Sequence, residues 1–147
     1  MHKRIFLWCA CALFCVQLTA AAQSLIKSGT VEDLPPVILS GLQAYKDKGP
    51  EEAVRIWIKD SPIDGSKAAL SQANNLRQVQ DFYGAYQFFE VIRAYEIGRR
   101  TRIFYLTLDF ENGPLFAKFV VYQSNHRWVL TSFDFNTKEE MILPPLP

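Results

Sequence analysis

The alternation of apolar and polar residues from Tyr86 to Phe135 predicts four consecutive antiparallel strands. The clearest run is Arg100 to Glu111, in which phenylalanine and leucine recur at every second position. Asn112-Gly113 follows, and this pair favours a hairpin because both residues tolerate positive φ. Pro114 has no N–H to close a tight turn, so the loop either stays at two residues or widens to Glu111–Pro114 around the same centre.

The turn centres predict which residues lie opposite each other. A centre at Asn112-Gly113 matches apolar with apolar residues: Phe110 with Leu115, Leu108 with Ala117, Leu106 with Phe119, and Phe104 with Val121. A centre at Asn125-His126 predicts three further pairs: Val121 with Leu130, Phe119 with Ser132, and Ala117 with Asp134. A centre at Gly98-Arg99 predicts Tyr95 with Arg102, Arg93 with Phe104, and Val91 with Leu106.

These registers divide the strand residues between two faces, because a slip of one residue turns every side chain over. One predicted face carries Phe89, Val91, Arg93, Tyr95, Phe104, Leu106, Leu108, Phe119, Val121, Trp128 and Leu130, together with Ser132 and Asp134. The other carries Ile92, Ile103, Tyr105, Phe116, Val120, Tyr122, Val129, Phe133 and Phe135. Both faces are too apolar to be left in water, so each needs a cover.

Helical spacing and capping residues predict two helices near the start of the chain. The first has Asp33 as its N-cap and prolines in its first turn, and Gly49 ends it. Pro50 opens a second, short helix that Ser61-Pro62 stops. The predicted inner face of the second helix consists of Ala53, Val54, Trp57 and Ile58.

A third helix is predicted from Ser66, as N-cap, to about Phe82, with Gly84 just past its end. The fold class is therefore α+β, with three N-terminal helices packed on a curved four-stranded antiparallel meander. The predicted divisions are a signal peptide at 1–22, a flexible lead-in at 23–34, the α+β domain at 35–137 and a tail at 138–147.

The chain from Val37 to Phe135 resembles the nuclear transport factor 2-like superfamily, with its cystatin-like cone of bent sheet around N-terminal helices. The resemblance is carried by the helix entry Gly49-Pro50-Glu51-Glu52-Ala53, the order of elements and the closing Trp128-Val129-Leu130-Thr131-Ser132-Phe133. It implies a pocket within the cone. The superfamily includes ketosteroid isomerase-like and dehydratase-like enzymes, ligand binders and small exported proteins, so the resemblance does not identify one chemistry.

The first residues are typical of a secretory leader. A basic start at His2-Lys3-Arg4 precedes an uncharged run from Ile5 to Val16 and a small-residue cleavage site at Ala20-Ala21-Ala22. The run is shorter than an ordinary membrane span of about 20 residues, and an uncleaved anchor is the alternative. Cleavage after Ala22 predicts an exported protein, periplasmic or extracellular, without a membrane contact.

Composition limits which kinds of site and partner are expected for the mature chain. All three cysteines precede the predicted cleavage site, so the mature chain would have no disulfide, thiolate nucleophile or cysteine metal site. The formal net charge is only +1, which offers no electrostatic case for a nucleic-acid partner. Glycines form no phosphate loop, and no His, Asp and Glu cluster has metal-ligand spacing, so no cofactor is expected.

Three arginines near the predicted Gly98-Arg99 turn form the first candidate site. Arg99, Arg100 and Arg102 are either a solvated hairpin tip that discourages edge pairing or a rim that binds anions. His126, the histidine beyond the leader, falls in a predicted turn and is expected to be solvated. The dehydratase-like members use a tyrosine–histidine–aspartate site in the cone, and this sequence has no histidine that matches it.

Asp134 is the candidate catalytic residue, because the predicted register places it on a mostly apolar face with Arg93. It is either half of an ion pair, whose loss in Asp134→Asn would cost about 3–5 kcal/mol, or a general base. The resemblance is compatible with the second role, since ketosteroid isomerase-like sites combine an acid and a tyrosine in an apolar cone, but this sequence has no residue-by-residue match to that site. The predicted ligand-binding residues are Arg93, Tyr95, Arg102, Asp134, Trp57 and Tyr86, although Trp57 and Trp128 also suit a core.

Three functions are consistent with these patterns. The first is a non-enzymatic binding module with a cone-shaped pocket for a small apolar or anionic ligand. The second is an interaction protein that forms a homodimer, or docks a partner, through the second sheet face. The third is an isomerase-like or hydrolase-like enzyme that uses Asp134. An open pocket would favour the first, a filled cone with an apolar sheet face the second, and a buried pocket with an unpaired Asp134 the third.

Overall fold

The computed structural model describes residues 26–27 and 30–145, as three helices and one antiparallel sheet. The helices are α1 (Pro36–Lys48), α2 (Pro50–Ile58) and α3 (Lys67–Tyr83). The strands, in their order across the sheet, are β1 (Ile26–Lys27), β2 (Tyr86–Ile97), β3 (Thr101–Phe110), β4 (Gly113–Ser124) and β5 (Arg127–Asn136). Short 3-10 turns lie at Val31–Asp33 and Glu139–Met141. The α+β prediction is confirmed, and the leader prediction falls outside the described residues.

Local capping residues set most of the helix ends. The Ser66 hydroxyl accepts a hydrogen bond from the Ala69 N–H at 3.2 Å, and Gly84 ends α3 with a φ of 84°. Gly49 and Pro50 separate α1 from α2 as predicted. Asp33 does not cap α1: its carboxylate accepts hydrogen bonds from the Thr30 N–H and hydroxyl, and α1 begins three residues later. None of the described helices is long and apolar enough to span a membrane.

The helices pack on one face of the sheet, here called the inner face, which carries Leu106, Ala117 and Phe119. Side chains from both layers there are fully buried: Ile38, Ala53, Trp57, Leu76, Leu106, Leu108, Ala117, Phe119, Val121 and Leu130. Trp57 of α2 lies edge-on to Phe119, with ring centroids 5.1 Å apart. The predicted inner face of α2 is therefore confirmed, and the space between helices and sheet is occupied by packed side chains.

The β3–β4 hairpin keeps the predicted faces but not the predicted partners. Phe110 lies opposite Gly113 and Leu108 opposite Leu115, two residues away from the expected register. Neither Asn112 nor Gly113 adopts positive φ. The turn is instead tied to the chain before β2, because the N–H groups of Glu111 and Asn112 donate to the carbonyls of Ala85 and Tyr83 at 3.1 and 2.8 Å.

The β2–β3 hairpin has a three-residue loop, so its register starts one residue away from the prediction. Tyr95 lies opposite Ile103, and Arg93 lies opposite Tyr105, which places both outside the core. The predicted pairs with Arg102 and Phe104 are therefore wrong. The predicted pair of Val91 with Leu106 is confirmed, because a β-bulge at Ile92 inserts one extra residue into β2 and brings the register back to the predicted one.

The β4–β5 hairpin turns at Asn125-His126 as predicted, with both residues at positive φ, and Val121 lies opposite Leu130. A β-bulge at Thr131 then shifts the register, so Val120 lies opposite Ser132. The Thr131 hydroxyl donates to the Val120 carbonyl at 3.1 Å, which stabilises the bulge.

The bulge at Thr131 reverses the predicted faces of the last strand segment. Phe133 and Phe135 pack against Trp57 in the core, with ring centroids 5.9 Å away in each case. Asp134 lies opposite Lys118 on the other side of the sheet, here called the outer face, which also carries Tyr105 and Val120. The predictions that Ser132 and Asp134 face the cone are wrong.

β1 is an element that the sequence pattern did not predict. It pairs antiparallel with the far end of β2, Ile26 opposite Tyr95 and Lys27 opposite Ala94, within the expected flexible lead-in. Among the described residues the sheet therefore has five strands, and β1 pairs with two residues at the edge of β2.

Candidate functional site

Trp57 and Tyr86, two of the six predicted ligand-binding residues, belong to the core. The Trp57 indole N–H donates to the Ile38 carbonyl at 3.2 Å, and its side chain is fully buried. The Tyr86 ring stacks on Tyr45 at 4.9 Å, and burial raises the pKa of both phenols. The Tyr45 hydroxyl donates to the Leu76 carbonyl at 3.3 Å. These aromatic groups hold α1 to α3 and the sheet, and the Tyr86 ring also lines a surface groove between α1 and β2.

Arg93 and Tyr95 lie together on the outer face. The Arg93 guanidinium donates to the Tyr95 hydroxyl at 3.0 Å, and Tyr95 lies edge-on to Tyr105 with centroids 5.9 Å apart. Burial raises the pKa of the Tyr105 phenol. No described carboxylate forms an ion pair with Arg93.

Arg102 lies on the inner-face side of the sheet at the margin of the core, and its guanidinium contacts two other side chains. Its guanidinium pairs with the Glu96 carboxylate at 2.9 Å and lies over the Trp128 ring, 4.8 Å from its centroid. The neighbouring Arg100 donates to the Gln123 carbonyl and stacks on Tyr122. These contacts favour the interpretation of the arginines as part of the hairpin structure over that of an anion-binding rim.

Asp134, the candidate catalytic residue, is exposed on the outer face. Its described partner is the Ser132 hydroxyl, which donates at 3.4 Å. Arg93 lies in the same row across the sheet, with Tyr105 and Lys118 between them, which puts the two backbones about 14 Å apart at ordinary strand spacing. The predicted Arg93–Asp134 pair is therefore wrong. Of the six predicted site residues, only Arg93 and Tyr95 contact each other in the described part of the chain, and the set does not form one site.

Two surface grooves lie beside helices in the described part of the chain. One, of about 440 Å³, runs between α3 and the ends of β4 and β5, and is lined by Asn75, Leu76, Gln78, Val79, Phe82, Tyr83, Leu115, Phe135, Asn136 and Thr137. The other, of about 740 Å³, lies between α1 and the start of β2, and is lined by Leu39, Ser40, Leu42, Gln43, Lys46, Tyr86, Gln87, Phe88 and Phe89. No sequence pattern predicted either groove, because each depends on how a helix packs beside a strand.

The chemistry available in the described part of the chain is limited. No polar or charged residue among residues 30–145 with described burial is buried, and no three His, Cys, Asp or Glu side chains there converge as a metal site. The pKa of the Asp109 carboxyl, on the outer face, is raised above its usual value. The first cause is partial burial, and the second is the nearby Glu90 carboxylate.

Comparison of the chain with protein-family models, with curated proteins and with solved structures finds no match.

Proposed function

We propose that this chain is an exported, non-enzymatic interaction protein that forms a homodimer through the outer face of its sheet. The observation that carries the proposal is an apolar patch on that face, drawn from three adjacent strands. Tyr95, Ile103 and Val120 lie directly opposite one another across β2, β3 and β4. Ile97 and Tyr122 extend the patch by one row, and Ile97 is 55% exposed.

The helices do not cover this patch, because they pack on the inner face. Apolar patches of this kind commonly mark contacts between proteins. A second copy is the simplest cover, since a two-fold axis pairs one patch with itself. The patch differs in detail from the sequence prediction: Phe133 lies in the core, and Tyr105 and Val129 are already buried at 9% and 6% exposure.

The packed interior supports this function over the cone-pocket function. Ile38, Trp57 and Phe119 have no measurable exposure at the place where a cone ligand would sit. The two grooves, one beside α3 and one beside α1, open on the surface instead. A small-ligand function stays a prediction, and it would have to use one of those grooves.

The exposure of Asp134 lends no support to the enzymatic hypothesis. An isomerase-like base requires an acid in apolar surroundings, where loss of water changes its basicity. Asp134 instead points into water beside Ser132.

The curvature of the sheet, membership of a superfamily and export are parts of the same proposal. The bulges at Ile92 and Thr131 support a sheet that curves around the helices, because a bulge bends its strand and increases the local twist. A bent sheet on N-terminal helices is the arrangement of the nuclear transport factor 2-like superfamily, and membership of it is part of what we propose. Export rests on the leader pattern at 1–22.

The dimer is tested by Val120→Glu, which places a charge within the patch. We expect the wild-type protein to sediment as a dimer and Val120→Glu as a folded monomer, because a buried, unpaired carboxylate is unfavourable at an interface. The matched control is Leu70→Glu, which also replaces an apolar residue with glutamate but on α3, where Leu70 is 58% exposed. Leu70→Glu should remain a dimer.

Sedimentation velocity over a range of concentrations, with circular dichroism to verify folding, separates the outcomes. A wild-type protein that is monomeric at every concentration would contradict the proposal. So would a dimer that Val120→Glu leaves intact, because the contact would then lie elsewhere.

A further inference from the structure

The groove between α1 and β2 combines a helix wall with the edge of a sheet. Its walls are apolar at Leu39, Leu42 and Phe89, and hydrophilic at Ser40, Gln43, Lys46 and Gln87. Its volume of about 740 Å³ lies within the range of binding sites in proteins. The groove lies at the Tyr86–Phe89 end of β2, away from the outer-face patch at Tyr95 and Ile97, so a ligand bound in the groove would not depend on the homodimer.

The β2 strand offers unpaired backbone along this groove. Of the described residues, only Ile26 and Lys27 pair with its outward edge, and they do so at Tyr95 and Ala94. The segment from Tyr86 to Val91 pairs with β3 on its other side and has no described strand beside it at the edge. Outward N–H and C=O groups of such an edge can pair with an added extended chain.

The inward side chains of this edge are incompletely covered. Phe89 and Val91 face the core but remain partly exposed, whereas Leu108 and Leu106, directly opposite them on β3, are fully buried. An added strand would bring its own inward side chains beside Phe89 and Val91 and would remove apolar surface from water.

The charge of the groove indicates what kind of strand it suits. Lys46 is the one charged residue in its lining, it is exposed, and no described carboxylate pairs with it. The nearest acidic residue in sequence, Asp47, instead accepts a hydrogen bond from Gln43 at 2.9 Å. A ligand carboxylate at this position would supply the missing counter-charge.

The direction of an added strand along β2 follows from the positions of β1 and α1. β1 runs antiparallel to β2 at its Tyr95 end, and Tyr45, which precedes Lys46, stacks on Tyr86 at the other end. A chain that continues in the direction of β1 would therefore reach Lys46 with its C-terminal part.

The geometry points to a peptide-binding edge: an extended segment of a partner protein adds to β2 at Tyr86–Val91, antiparallel to it. The segment spans about six residues, has apolar side chains at alternate positions, and presents a carboxylate to Lys46 near its C-terminal end. The β-bulge at Ile92 lies directly after the site, and a second bulge at Gln87 lies within its first two residues. The same edge already accepts an extended segment of its own chain at β1, so the proposed contact continues an existing one.

Selection from a display library of random peptides of about eight residues tests this assignment. We expect enriched peptides to alternate apolar and polar residues and to carry an acidic residue or a free C-terminal carboxylate. With synthetic copies of those peptides, Lys46→Glu should weaken binding by at least about fivefold. The matched control is Lys48→Glu, a change of the same charge on the same exposed helix end but outside the groove, and it should leave the affinity within about twofold.

Amide hydrogen exchange by NMR then locates the peptide. Binding should slow exchange at amides within Tyr86–Val91, while the outer-face strands keep their rates. Failure to enrich any peptide, equal binding by Lys46→Glu, or protection elsewhere would each overturn the assignment. Protection of Tyr86–Val91 that rises with the concentration of the protein alone would also overturn it, because the edge would then pair with a second copy. None of these results bears on Val120→Glu, so the two proposals fail independently.

Discussion

At the scale of single residues, the one extra residue of the bulge at Thr131 determines which faces of the sheet Phe133 and Asp134 occupy. Phe133 is 5% exposed and contacts Trp57, whereas Asp134 beside it points into water. Without the bulge at Thr131 the two side chains would exchange faces. The candidate catalytic residue of the sequence analysis is therefore a surface residue.

Asp134→Asn should change the free energy of unfolding by no more than about 0.5 kcal/mol, because exposed substitutions away from special features have little effect. Phe133→Ala should cost about 3–5 kcal/mol, since it removes a buried aromatic ring. Urea denaturation of both variants measures the two values. The reverse order of effects would mean that Asp134 faces the core, as the register without the bulge requires.

At the scale of elements, close contact between α1 and α2 depends on Gly41. This glycine is buried in α1, and a Cβ at its position would come within 1.9 Å of the Trp57 indole nitrogen. Trp57 itself is enclosed by Phe119, Phe133 and Phe135, so its ring has little room to move. The glycine thus allows a helix pair to close around a large aromatic group.

Gly41→Ala should destabilise the protein by about 1–3 kcal/mol, although alanine favours a helix over glycine by about 1 kcal/mol, because the methyl group overpacks the core. Thermal unfolding followed by circular dichroism measures the change. Ser40→Ala, at the exposed preceding position of α1, is the matched control and should be neutral or slightly stabilising. A Gly41→Ala protein at least as stable as wild type would show that Trp57 can shift.

At the scale of the whole molecule, the proposals place three surfaces around one filled core. The inner face of the sheet holds the helices, the outer face meets a second copy, and the edge of β2 takes an extended peptide. Each surface uses residues that the others leave available, so a dimer through the outer face would present two peptide edges. Such an arrangement suits an interaction protein that binds a partner twice.

Export is the prediction that belongs to the whole chain. N-terminal sequencing of the exported protein should begin near Gln23, because the leader layout places cleavage after Ala22. Ala22→Trp should block processing, since the site requires a small residue, and the leader should then stay attached. Recovery of the full-length wild-type chain in the membrane fraction would contradict the prediction and favour the uncleaved anchor.

Elements whose signals are local could be predicted from the residues alone. Ser66, Gly84, Gly49 and Pro50 mark helix ends because a cap or a proline acts within a few residues. Asn125-His126 marks a hairpin for the same reason. Alternation also assigned the central parts of β3 and β4 to the correct faces, since a two-residue shift preserves side-chain direction.

Which polar residues contact each other depends on long-range pairing between strands. The bulges at Ile92 and Thr131 have no local signature, because each is stabilised by pairing with a neighbouring strand. The turn before β4 is held by carbonyls of Tyr83 and Ala85, more than twenty residues earlier in the chain. The bulges turned Arg93, Tyr95 and Asp134 away from the core and dispersed the predicted site. The groove between α1 and β2, which no sequence pattern indicated, depends on how that helix packs beside the strand.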